Sequence, residues 1–213
     1  MMKRLLITFC FLFGTYNISF ASSSSDKEAQ LCINAYNHLW FSFETIKSDL
    51  RTDPVSQQPK FIEEFTKVVA PDVHFEVQKL PVPPDLTSTI SIVVDGITDL
   101  ANTAAFGIDN YGEHHITSPF SIKKLPSTDN NVSHVYSMTT RDIDYTRNAT
   151  ADGGCTVYLS QKDVVCTIEK IKGISSSKKA ILKSIIDNVV TAFPLPAPQC
   201  ALWNAAPLTS YVD

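Results

Sequence analysis

From His114 to Ile171 the chain alternates apolar and polar residues in long segments, the pattern of strands buried on one face and wet on the other. Between His114 and Lys124 the even positions read His, Ile, Ser, Phe, Ile and Lys, and the odd ones are mostly polar or proline. The even face is therefore expected to be buried. Asp129-Asn130-Asn131 supplies a turn of residues that tolerate positive φ, and Val132 to Tyr145 reads as a long strand carrying Val132, His134, Tyr136 and Met138 on one face. After Asp152-Gly153-Gly154, the runs Cys155 to Leu159 and Val164 to Ile171 complete a meander, with Ser160 to Asp163 read as the turn between them. A meander with one apolar face must be covered by other elements.

The cover comes from the earlier part of the chain. Ser25 and Glu28 have capping-box spacing, and Leu31, Ala35, Leu39 and Ile46 run at helical period beside a second stripe of Cys32, Tyr36, Trp40 and Phe43. A polar, proline-bearing loop is expected from Asp49 to Lys60, then a second helix through Phe61, Phe65 and Val68 or Val69 that stops at Ala70-Pro71. Val73, Phe75 and Val77 alternate as a strand, the prolines between Pro81 and Pro84 break it, and Ile90 to Val94 forms another. Asp95-Gly96 turns into a short helix bearing Ile97, Leu100, Ala101 and Ala104. Beyond Gly173, Ile181, Ile185 and Val189 alternate with Leu182, Ile186 and Val190 and read as an amphipathic helix ending near Phe193. The prolines at 194, 196, 198 and 207 exclude regular helix from the tail.

At the N-terminus, Lys3 and Arg4 precede an apolar run from Leu5 to Phe13, and Ser19-Phe20-Ala21 places small residues where a signal peptidase reads. Residues 1–21 are thus expected to be a signal peptide, 22–193 one domain and 194–213 a proline-rich tail. The apolar run is too short to span a bilayer, so no membrane anchor is expected after cleavage, and the product is expected to be secreted or periplasmic. Cys10 leaves with the leader, and Cys32, Cys155, Cys166 and Cys200 remain as an even set suited to an oxidising compartment. Of the three pairings, the hairpin reading favours Cys155 with Cys166, leaving Cys32 with Cys200. The chain has no Cys-x-x-Cys and no His at ligand spacing from a Cys, so neither a metal site nor a cofactor is expected. Asn131-Val132-Ser133 and Asn148-Ala149-Thr150 match the glycosylation acceptor pattern. A net charge of -4 offers no field for a phosphate backbone, which argues against nucleic-acid partners.

The segments FTKVVAPDVHF (65–75), Val94-Asp95-Gly96 to Ala104, HHITSP (114–119) with Phe120 to Lys124, Asn131 to Thr139, and TIEKIKG (167–173) occur in one order over residues 28 to 173. In that order they resemble the NTF2-like superfamily, in particular its SnoaL-like branch, shared with polyketide cyclases, ketosteroid isomerases and scytalone dehydratases. The resemblance implies an α+β cone: a strongly curved, mainly antiparallel sheet with helices on its concave side, here with an extra C-terminal helix. The tryptophan that usually follows the final glycine of that pattern is replaced by Ile174-Ser175.

The resemblance also implies a pocket. Parity points His114 into it and His115 away, so the two cannot chelate one metal. Tyr36, Trp40, Phe75, His114 and Tyr136 are the candidate lining, with His114 the best candidate acid or base, since an imidazole exchanges protons near neutral pH. In the related isomerases and dehydratases the chemistry is proton abstraction beside a carbonyl, with Asp or His as base and Tyr as acid. The plainer alternative makes His114 a hydrogen-bonded, half-buried residue and the rings ordinary core. Asp49, Asp142 and Asp144 are candidate carboxylates by type only, whereas His74 and Glu76 oppose the apolar parity of their strand and are expected at the surface. No serine-hydrolase, zincin, P-loop or dinucleotide motif is present. Three roles remain open: binding of a small organic ligand in an apolar pocket, an isomerase, cyclase or dehydratase using His114, and a non-catalytic interaction module or homodimer.

Overall fold

A computed structural model describes residues 24–82, 86–107, 111–116, 120–127, 129, 131–147, 154–171 and 177–200. The leader, its cleavage point, Asn148 and the tail beyond residue 200 lie outside the described residues. The elements are α1 (Ser24–Thr52), α2 (Pro54–Thr66), β1 (Val69–Pro81), β2 (Thr89–Asp95), α3 (Ile97–Gly107), β3 (Tyr111–Ile116), β4 (Ser121–Leu125), β5 (Val132–Arg147), β6 (Cys155–Lys170) and β7 (Lys178–Leu195). They form the expected α+β arrangement. One sheet has the order β2-β1-β7-β6-β5-β3, and β4 also pairs with β5. Every pairing is antiparallel except β1 with β7, which is parallel. Helices cover the inner face: Cys32, Ala35, Tyr36, Leu39 and Phe43 of α1 and Phe61 and Phe65 of α2 share one core with Met138, Val164, Ile168, Leu182 and Ile185 of the sheet.

Several expectations are corrected. Both stripes of α1 reach the core, through Ala35 and Leu39 of one and Cys32, Tyr36 and Phe43 of the other, but Leu31 is exposed. The loop expected at 49–60 is helical: α1 runs on to Thr52, Asp53 caps α2 by accepting from the Ser56 amide, and Pro54 stands in the first turn, where a missing N–H costs nothing. The Glu28 carboxylate, read as part of a capping box, binds His134, Lys178 and Tyr136 of the sheet. Ser160 to Asp163 is not a turn but the middle of β6, one continuous strand of 16 residues.

The segment read as a C-terminal helix is β7, 18 residues long, and among the described residues after it 197–200 are helical. Apolar residues four apart fit a period of two as well as 3.6, and the β-branched content of this run tips the choice to strand. A register shift opposite Val165 and Cys166 puts Leu182 on the buried side before it and Ile185, Asp187 and Val189 after it.

The four cysteines among the described residues pair, but as Cys32–Cys166 and Cys155–Cys200. The expected Cys155–Cys166 link fails because both residues stand on β6, eleven positions apart along an extended strand, or about 36 Å. Cys32–Cys166 instead staples α1 to the inner face, and Cys155–Cys200 pins the chain after β7 to the far end of β6, where Val157 also packs. At the β2 edge, Gly96 takes φ +88° so that its amide donates to Val73 O at 2.7 Å.

His74 and Glu76 lie half-buried on β1. His74 Nδ1 is 2.7 Å from Asp95 Oδ1 and Nε2 is 3.5 Å from Glu76 Oε2. The hydrogen bond to Asp95, supported by Glu76, raises the imidazole pKa against a smaller opposing effect of burial. A raised folded-state pKa stabilises fully below the unfolded value of about 6.5 and loses that stabilisation as pH rises through the folded pKa. The stability gap between the wild type and His74→Gln is therefore expected to be widest near pH 6 and to close by pH 9. Urea titrations at the two pH values, with an NMR titration of the imidazole, check both the sign and the raised midpoint.

Candidate functional site

The inner faces of β5, β6 and β7 carry a polar strip where an apolar core would be expected. Asp142, Lys162 and Asp187 are buried, Lys162 to 1% exposure. Burying an ammonium is costly unless carboxylates surround it, and here they do. Lys162 Nζ donates to Asp144 Oδ2 at 2.8 Å and to Asp187 Oδ2 at 2.6 Å. It also stands 5.1 Å from the centre of the Trp40 ring on α1, within cation–π range. Strand register produces the group: Lys162 lies directly opposite Asp187 on β7 and Thr140 on β5, and Asp142 lies opposite Ser160.

One helical turn before Trp40, the buried Tyr36 hydroxyl donates to Asp142 Oδ2 at 2.7 Å. Its ring meets Trp40 and Phe120 edge-on at 6.2 and 5.4 Å between centres. Burial pushes the Tyr36 hydroxyl well above the usual phenol range, and the neighbouring Asp142 and Asp144 charges push the same way. It is a protonated donor throughout the physiological range. For Lys162, burial opposes the charge, but Asp144, Asp187 and Asp142 together outweigh it and hold the ammonium pKa above the ordinary lysine value. Burial raises the Asp187 carboxyl despite Lys162 beside it, as expected where three carboxylates share one cation.

Of the sequence-derived candidates, Tyr36 and Trp40 meet in this group. The backbone of His114 on β3 is opposite Asp144, and that of Ile116 is opposite Asp142, so β3 runs alongside the polar strip; the His114 side chain lies outside the described residues. Phe75 stands on β1 between Val94 and Ile185, packed against the apolar core. Tyr136 is buried about 20 Å from Asp142 along β5 at 3.4 Å per residue, its hydroxyl donating to Glu28. Lys162 and Asp187 were missed because one was read in a turn and the other on a helix. The signal for Asp142 and Asp144 was available: both share the even parity of Tyr136 and Met138 along β5.

Among the described residues no group of three or more His, Cys, Asp or Glu is arranged to hold a metal ion, and no helix is long and apolar enough to cross a membrane. The arrangement offers one phenol donor, carboxylate acceptors and a fixed ammonium beside three aromatic rings. Such groups can orient a small polar-headed molecule or move a proton.

No protein-family model matches the chain, and no curated protein matches it. Solved structures do resemble it. A ketosteroid isomerase-like protein from Erwinia carotovora atroseptica is 11% identical, with 78% of this chain and 98% of that one covered at a TM-score of 0.44. A hexachlorocyclohexane dehydrochlorinase is 9% identical over 73% of this chain and 90% of its own, at 0.40. An uncharacterised protein with a cystatin-like fold from Caulobacter vibrioides is 9% identical over 85% and 96%, at 0.41.

Proposed function

We propose that this chain is an exported NTF2-like protein of the SnoaL-like kind that binds a small organic molecule on its concave face. The rings of Tyr36, Trp40 and Phe120 supply the apolar contact and the Tyr36–Asp142 pair orients a polar group of the ligand. The observation that carries this reading is Lys162. A nearly inaccessible ammonium held by two carboxylates under an aromatic ring is a costly feature of the kind that concentrates at functional sites. Two disulfides fit an oxidising compartment, which supports export to the periplasm or beyond.

The test uses the two tryptophans, Trp40 and Trp203, whose indole NMR signals a Trp203→Phe variant tells apart. A fragment library titrated into the intact protein is expected to shift the Trp40 signal saturably, and Tyr36→Phe is expected to weaken those fragments about tenfold, the loss of one buried hydrogen bond. Fragments that bind without moving Trp40, or that ignore Tyr36→Phe, overturn the placement.

A second reading, an isomerase, cyclase or dehydratase, is favoured by one observation: the register position of His114 opposite Asp144, beside the Tyr36–Asp142 pair. A histidine at that register position and a protonated phenol are the residue types that proton transfer beside a carbonyl requires as base and acid. Deuterium exchange into a bound carbonyl compound, abolished by His114→Asn while binding persists, separates catalysis from binding.

A further inference from the structure

The far end of β5 carries a second polar group that the concave site does not use. Lys124 of β4, His134 of β5, Lys170 at the end of β6 and Lys178 at the start of β7 border an open depression of about 660 Å³, together with Ser127 and Ser133. His134 is eight residues from Asp142, about 27 Å along the strand, so this is not the mouth of the concave group. Two features of the depression run against what a purely structural surface would select. Lys170 and Lys178 stand directly opposite each other on antiparallel strands, and like charges in that position destabilise a sheet. In a chain of net charge -4, three ammonium groups line this depression beside a single lining carboxylate, Asp129. Glu28 is 4% exposed and binds Lys178 and His134, and it also accepts from the Tyr136 hydroxyl at 3.2 Å. That buried carboxylate holds the Lys178 ammonium and the His134 ring in place.

We propose that this depression is a binding site for the oxyanion group of a small soluble ligand, phosphate or a compound of similar charge, with Lys124, Lys170 and Lys178 as the cationic contacts and the hydroxyls of Ser127 and Ser133 as neutral donors. A tetrahedral oxyanion accepts several charge-assisted hydrogen bonds at once and relieves the repulsion between Lys170 and Lys178. The site is independent of the concave-face reading, and either can fail without the other.

Inorganic phosphate titrated into the intact, isotope-labelled protein at low ionic strength is the test, with potassium chloride at matched ionic strength as control. Phosphate is expected to shift the amide signals of residues 124, 127, 133, 170 and 178 saturably, with the Trp40 indole unmoved. Lys124→Gln combined with Lys170→Gln is expected to weaken phosphate at least tenfold. Both lysines are exposed and Lys178, which holds Glu28, is left in place, so the fold should survive, and an unchanged thermal midpoint verifies it. Equal shifts from chloride, or a double variant that binds phosphate like the wild type, overturn the proposal. So does binding to phosphatidate vesicles with no saturable response to free phosphate, which would assign the charge to a membrane surface instead.

Discussion

Replacing Cys32 and Cys166 by alanine lowers the unfolding free energy by about 5 kcal/mol, from the loop-entropy relation applied to a cross-link between residues 134 apart. The same relation gives about 4 kcal/mol for Cys155–Cys200, whose residues are 45 apart, so the helix-to-sheet staple is the larger of the two. Domains of ordinary stability have about 5–15 kcal/mol in total, so the double variant should be marginal at 37 °C. Alanine is the right replacement because both sulfurs are fully buried and a serine hydroxyl there would add a desolvation cost of its own. Urea unfolding of the oxidised wild type and of the double variant measures the loss, and peptide mapping without reductant must recover Cys32 joined to Cys166. A loss below about 1 kcal/mol would mean that the unfolded chain is already held compact without the bond.

The parts of this architecture that were legible in the sequence are those where local pattern and tertiary role agree. The Cys32, Tyr36, Trp40 and Phe43 stripe is a helix that buries the face carrying those rings, and the even parity of β5 runs inward as far as Asp142. What stayed hidden is where a polar demand overrides local appearance. Ser160-Gln161-Lys162-Asp163 has the composition of a turn, yet β6 passes straight through it because Asp144 and Asp187 on the flanking strands compensate the buried ammonium. A single sequence gives no means of seeing that compensation, since its members are 18 and 25 residues away in the chain. The disulfide pairing followed from the same misreading: once the turn at Ser160 to Asp163 is removed, Cys155 and Cys166 are too far apart to meet. β7 was obscured for a different reason, because spacing by four satisfies both helix and strand, and Asp187 was lost from the site with it. Local rules thus failed at the polar strip itself, where a functional site is expected to break them.

Lys162→Met should lower stability by about 3–5 kcal/mol at pH 7, the range for removing one partner of a buried ion pair. Methionine fills nearly the same volume, so packing contributes little and the loss measures the stranded carboxylates of Asp144 and Asp187. The pH dependence identifies the cause. Burial already raises the Asp187 carboxyl while Lys162 opposes it, so deleting the ammonium raises it further. A carboxyl whose folded-state pKa exceeds its unfolded value costs stability above that folded pKa and regains it as pH falls through it. The deficit of Lys162→Met relative to wild type should therefore shrink steadily between pH 7 and pH 4. Asp144→Asn with Asp187→Asn in the same background should remove most of it at pH 7, because neutral amides need no cation. Urea titrations of the three proteins across that pH range measure this directly. A deficit that is small at pH 7 or flat with pH would show that water reaches Lys162 and its partners, and the polar strip would then lose the low-dielectric setting on which orientation of a ligand by Tyr36 and Asp142 depends.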